Sequence, residues 1–304
     1  MKRISLILKI IISVALLFIL FRNANLSKAA QYAGSLRYTY ILASIVLIVL
    51  GQIVRSHRLA VLVFGDLSAR RMWQVLRIQM VSFLPGVISP AKIGEITKVY
   101  MLNREAEVPV LRGLICFVAE RVLDLLLLGP LAAVGLFALL RSGLHIYVKP
   151  GWVHMAVVAW LSVFAALAVG LMWTRRRGIT ATAVWETVSP RSLCVAAVMT
   201  VLYWGIVFVE VWCFCEASLF DTAVWHMAIV VPPALLSSMI PISFSGFGLR
   251  EAAMVILLQR PPLGAPYERA LLISLLYDIV GLGIPAGMGV IFWMTKKTDA
   301  APHA

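Results

Sequence analysis

Residues 239–251 read Met-Ile-Pro-Ile-Ser-Phe-Ser-Gly-Phe-Gly-Leu-Arg-Glu, a stretch of Pro, Ser and Gly between two apolar runs. A matching stretch stands at residues 83–95, Phe-Leu-Pro-Gly-Val-Ile-Ser-Pro-Ala-Lys-Ile-Gly-Glu. Without a gap, Pro241 lies over Pro85, Ser245 over Ser89 and Glu251 over Glu95. Pro removes a helical donor and Gly lowers helix propensity, so both stretches are predicted as breaks in helices.

The surroundings of the two breaks decide what they interrupt. Of 304 residues, 62% are hydrophobic and only 13% are charged, against about a quarter charged in an ordinary soluble domain. The predicted fold class is therefore all-α, a polytopic membrane helix bundle, since lipid leaves exposed backbone groups unsatisfied. The formal charge of +13 does not point to nucleic acid, because the basic residues stand at the ends of apolar runs and form no continuous face. Lys2 and Arg3, Arg70 and Arg71, Arg175 to Arg177, and Lys296 and Lys297 are the dense groups, and the positive-inside rule puts them, with both termini, in the cytoplasm. Cys116, Cys194, Cys213 and Cys215 all lie in apolar runs and offer neither a disulfide framework nor a metal spacing. No metal and no cofactor is expected.

About six full spans are predicted: residues 4–21, 39–64, 113–140, 152–173, 191–214 and 266–294. The first carries no small-residue cleavage site after it and reads as a retained helix. The second holds Gln52, Arg55, His57 and Arg58 at its cytoplasmic end, where they either snorkel to phosphates or face a polar cavity; the nearby Arg70 and Arg71 favour snorkelling. The segment at 73–102 contains Pro85, Gly86, Pro90 and Gly94, and reads as a re-entrant hairpin too short on either side of Pro85 to cross. A second hairpin is expected at 225–259, broken at Pro232-Pro233 and again between Pro241 and Gly248. Trp152 to Trp173 is the cleanest crossing, roughly 32 Å long with Trp at both interfaces. Residues 179–188 are expected to lie along the surface, and a short polar loop is expected around Arg22, Lys28 and Arg37.

The repeat extends past the breaks. Asp124 follows Glu95 by 29 residues and Asp278 follows Glu251 by 27, and each Asp precedes a Gly and a Pro. Two units at about 39–140 and 191–294, within one membrane domain spanning 1–304, leave spans 4–21 and 152–173 outside the repeat. The extra span between the units turns the second upside down. Two inverted units whose broken helices meet near the midplane are a transporter architecture.

Glu95, Glu120, Asp124, Glu210, Glu251 and Asp278 are ionisable groups at membrane depth, each costly unless paired or wetted. Arg121 is within reach of Asp124 at three residues' spacing. Salt bridges that only hold the bundle remain the alternative for all of them. Ser243, Ser245, Gly246 and Gly248 precede an apolar helix starting near Leu249, whose free N–H groups together with Arg250 suit a phosphate. Ser89 and Lys92 stand similarly in the first break; a glycine-packed hairpin with Arg250 neutralising Glu251 is the alternative. No His-x-x-x-His pair, Gly-x-Ser-x-Gly or phosphate loop occurs, which leaves little for an enzyme reading.

The run from Phe83 to Asn103, then Glu120-Arg121-Val122-Leu123-Asp124, then Pro241 to Glu251, resembles the lysylphosphatidylglycerol synthase transmembrane-region family, a flippase-like domain. The resemblance implies a membrane domain associated with lipid translocation, here expected as a standalone member of a bacterial cytoplasmic (inner) membrane without a soluble transferase domain. The expectation is a translocase for an anionic or isoprenoid-type lipid. Its headgroup would be bound between the hairpins by Arg250, Ser245, Gly246, Gly248, Lys92 and Ser89. Glu95, Glu251, Asp124, Asp278, Glu120 and Arg121 would gate or carry protons. A membrane enzyme acting on a lipid or polyprenyl phosphate, or a non-catalytic partner of a lipid-biosynthesis enzyme, are the alternatives. Homo-oligomerisation is compatible with each.

Overall fold

The computed structural model describes residues 2–65, 68–89, 94–141, 188–239 and 242–299, and every regular element among them is helical. In chain order these are α1 (Lys2–Arg22), α2 (Leu26–Gly34), α3 (Tyr38–Phe64), α4 (Ala69–Ile88), α5 (Thr97–Ala106), α6 (Val110–Arg141) and α7 (Pro190–Ala217). There follow a short 3-10 turn (Val224–His226), α8 (Met227–Ser237), α9 (Leu249–Gln259), α10 (Tyr267–Leu276), a wide π turn (Tyr277–Leu282) and α11 (Gly283–Asp299). The crossing expected at 152–173, most of the surface segment after it and Lys92 lie outside the described residues.

Three helices among the described residues are long and apolar enough to cross a membrane: Tyr38–Phe64, Pro190–Ala217 and Tyr267–Thr295. A fourth is added if α1 and α2, which meet at a bend of 84°, count as one span. Large apolar side chains such as Val46, Val198, Ile279 and Ile291 stand more than half exposed on these helices. On a soluble protein such a surface would drive association; on a multi-pass membrane protein it faces acyl chains.

Local chemistry sets the helix ends. Asn25 caps α2 by accepting from the Lys28 N–H at 3.2 Å, so the expected loop around Lys28 is a short helix instead. Ser68 and Ser189 cap α4 and α7 in the same way, with Pro190 at the first position of α7, where its missing donor costs nothing. Gly65 ends α3 in the left-handed region at φ 72°.

Pro85 and the Pro232-Pro233 pair do not break their helices. α4 runs through Pro85 to Ile88, and the chain leaves the helix only at Ser89. Pro85 removes the bond to the Val81 carbonyl, and only three helical residues follow it. Likewise α8 runs through Pro232 and Pro233, and the break before α9 falls after Ser238.

Packing pairs the elements crosswise. α3 lies along α7 more extensively than any other described pair, while α6 packs on α8 and α11 packs on α4. Both crosswise contacts are made at glycine. Gly135 of α6 lies against the Ile229 carbonyl of α8, and Gly289 of α11 lies against the Met80 carbonyl of α4. The first carbonyl is free to receive that contact because residue 233, its helical donor, is Pro. Gly135 follows Asp124 by 11 residues and Gly289 follows Asp278 by 11.

Candidate functional site

Both breaks contribute to one cavity. Phe83, Val87 and Glu95 line it from the first break; Met239, Ser245, Phe247 and Arg250 line it from the second. The two touch directly, the Ser245 hydroxyl donating to the Val87 carbonyl. α3 contributes Gln52 and Arg55, α6 Arg121 and Asp124, α7 Tyr203, Trp204 and Glu210, and the π turn Tyr277 and Gly281. The cavity has a volume of about 60 Å³, room for a few waters on a scale where each needs roughly 10–15 Å³.

The second break owes its shape to three departures to positive φ within four residues: Ser245 at φ 54°, Gly246 at φ 81° and Gly248 at φ 84°. Glycine pays no steric cost there. Gly246 also lies against the Ser238 backbone, and Gly248 against Leu16 and the Ser13 carbonyl of α1. Ser13 Oγ in turn accepts from the Phe244 N–H at 2.7 Å. α1 therefore docks on the second break.

Two buried charge networks flank the cavity. In the first, Glu95 binds Arg55 at 2.8 Å and also Arg121, with Lys98 at 4.0 Å. Lys98 reaches Glu120 at 2.6 Å, and Arg58 bridges Glu120 at 3.3 Å and Asp124 at 2.6 Å. Asp124 further accepts from Trp204 Nε1 at 3.0 Å and faces Arg121 at 3.7 Å. Among the described residues, four cations here meet three carboxylates. In the second network, Arg250 binds Glu251 at 2.7 Å and Asp278 at 2.5 Å, with the Phe247 and Tyr277 rings on its faces at 5.4 and 5.5 Å. Every charge in the two networks has a partner of opposite sign, with one cation in excess in the first and one carboxylate in excess in the second; such pairing is the condition for holding charges out of water.

The residues singled out in the sequence are distributed unevenly. Arg250, Ser245, Glu95, Asp124 and Arg121 line the cavity. Glu251 and Asp278 stand one bond behind it, on Arg250, and Glu120 behind it on Arg58 and Lys98. The Glu251 carboxylate accepts from the Gly248 N–H, so the start of α9 already holds an anion. Gly246 and Gly248 shape the turn. Ser89 shapes the other break, accepting from the Gly94 N–H at 2.5 Å and donating to the Gly86 carbonyl at 3.3 Å.

Arg55 and Arg58 do not snorkel. They are 5% and 1% exposed, because the carboxylates of α6 and of the first break solvate them better than a distant interface would. Their signal was the spacing Gln52, Arg55, Arg58, three residues apart on one side of an otherwise apolar helix. Lys98, Tyr203 and Trp204 carried no such signal.

Searches of curated proteins and of solved structures found no match. A family model does match, over residues 6–289, nearly the whole chain. The motifs it spans are those that build the cavity and its two networks, and the chain belongs to the family described as the lysylphosphatidylglycerol synthase TM region.

Proposed function

We propose that this integral, multi-pass membrane protein is a lipid translocase, binding an anionic headgroup between the two breaks while the tails stay in the bilayer. The family is a lipid-related membrane domain, which supports a lipid as the substrate. The observation that carries the reading is the cavity itself, lined by both breaks and by the guanidinium groups of Arg55, Arg121 and Arg250.

A phosphate diester is a planar-fork ligand for arginine, as a carboxylate is. Glu95 currently bridges Arg55 and Arg121. A headgroup phosphate that takes its place frees Glu95 and unties α3 from the first break, so binding and opening become one event. The cavity as it stands is too small for a headgroup with its glycerol, so the breaks part when a lipid enters. Arg250, Ser245, Gly246, Gly248, Ser89 and Lys92 are assigned to the headgroup site, the glycines through the turn they permit. Glu95, Glu120, Arg121, Asp124, Glu251 and Asp278 are assigned to gating.

The inverted repeat, with units at about 39–140 and 191–294, belongs to the same proposal. The crosswise packing of α6 on α8 and α11 on α4, each at a glycine 11 residues after an Asp, supports it. An inverted pair gives two arrangements of similar energy, open to opposite leaflets.

Reconstitution tests the reading. Vesicles containing the protein and fluorescent phosphatidylglycerol are expected to exchange that lipid between leaflets faster than empty vesicles, and Arg55→Ala and Arg121→Ala are expected to abolish the difference. Exchange no faster than in empty vesicles, across several anionic headgroups and with an imposed proton gradient, sinks it.

A further inference from the structure

The cavity's carboxylates are of two kinds. Glu95 and Asp124 hold arginines, as does Asp278 behind the cavity wall. Glu210 of α7 holds nothing. It lines the cavity and is 5% exposed, and no hydrogen bond or ion pair is made by its carboxyl group among the described residues; Oε1 is buried and unpartnered.

The charged groups that line or back the cavity beside Glu210 are engaged elsewhere. From α3, Arg55 is bound to Glu95 and Arg58 to Glu120 and Asp124; from α6, Arg121 is bound to Glu95 and Asp124. From the π turn, Asp278 is bound to Arg250, and Tyr277 lies under the same guanidinium. α8 has no titratable residue, and those of α10 stand in its first turn, where Tyr267 and Arg269 donate to the Leu20 and Leu219 carbonyls and Glu268 accepts from the Asn25 N–H. His226, just before α8, pairs with Thr222 at 3.0 Å. On α7 itself, Tyr203 stacks edge-on against Trp204, and Cys213 is buried.

An ionised carboxylate in such a place costs far more than the neutral acid. The backbone makes deliberate room for it. A methyl group on Gly281 would fall 2.6 Å from Glu210 Oε1. Gly281 belongs to the π turn that also carries Asp278, and single π turns in long helices recur at functional positions.

We propose that Glu210 is the proton-binding site of the cavity, protonated while the cavity is closed and giving its proton to water when a gate opens. The π turn, which touches Glu210 through Gly281 and Arg250 through Asp278, passes that change to the second break. Only the O–H bond of the carboxyl forms and breaks, with cavity water as the other partner. Coupling of lipid movement to a proton gradient rests on the translocase reading above; the proton site does not.

The test has two arms. In lipid nanodiscs, infrared difference spectra between high and low pH are expected to show a protonated-carboxyl stretch. Glu210→Gln removes it, Glu95→Gln keeps it, and Gly281→Ala, which alters no charge, shifts it. A band unchanged in Glu210→Gln, or no band in the wild type at any pH where the protein stays folded, overturns the proposal. In vesicles with fluorescent phosphatidylglycerol, the wild type is expected to exchange lipid faster with an imposed pH gradient than without, and Glu210→Gln equally fast in both. A Glu210→Gln protein that still responds to the gradient also overturns it. If the wild type exchanges no lipid at all, the translocase reading falls and the infrared arm alone decides the proton site.

Discussion

The hydroxyl of Ser245 donates to the main-chain carbonyl of Val87, joining two chain breaks 158 residues apart in sequence. The bond closes one side of the cavity and gives the second break a fixed distance from the first. Ser245→Ala removes it while keeping the backbone. Stability in detergent is expected to fall by about 0.5–1.5 kcal/mol, with leaflet exchange altered in rate, as calorimetry and the vesicle assay would register. No change in either measurement would mean that the breaks are not held by this contact.

Glu95 neutralises Arg55 and Arg121 in a buried setting. Glu95→Gln leaves those guanidinium groups short of a counter-charge, and the loss expected is about 3–5 kcal/mol. Arg55→Met combined with Glu95→Met should cost less than the sum of the single changes, with a coupling of roughly 0.5–3 kcal/mol. Denaturation of the four proteins in one detergent measures it; additive losses would deny the pairing.

Gly135 and Gly289 are the points where α6 meets α8 and α11 meets α4. A methyl group at either would press on a carbonyl, so Gly135→Ala and Gly289→Ala are each expected to destabilise by about 1–3 kcal/mol. Gly205 and Gly287 have nothing within 4 Å of an added methyl group. There, Ala is expected to be neutral or to stabilise by up to about 1 kcal/mol through helix propensity. Thermal unfolding of the four variants separates contact from propensity.

Ser13 supplies the acceptor for the Phe244 N–H. Ser13→Ala leaves that donor without its side-chain partner, at a cost of about 1–3 kcal/mol if water stays out. Hydrogen exchange at the Phe244 amide is expected to quicken while exchange in α3 stays constant. An unchanged Phe244 amide would show that α1 does not secure the second break.

The sequence by itself determined the solvent and the raw material. Apolar runs poor in charge required membrane helices, and two Pro/Ser/Gly stretches with matched offsets required two breaks. Glu95, Asp124, Glu251 and Asp278, each followed or preceded at corresponding places, marked where charge had to be paired. Only the tertiary structure decided the partners. Arg55 and Glu95 lie 40 residues apart and Arg58 and Asp124 66 apart, and hydrophobic periodicity reports which face of a helix is apolar, not which helix lies against it. Hence Arg55 and Arg58 read as snorkelling cations until the first break and α6 supplied their carboxylates. Prolines that end isolated helices were carried through by α4 and α8, with Gly135 of α6 packed on the Ile229 carbonyl that Pro233 leaves without its helical donor. That Glu210 has no partner among the described residues was likewise invisible in the chain, since being left unpaired is a property of everything packed around a residue.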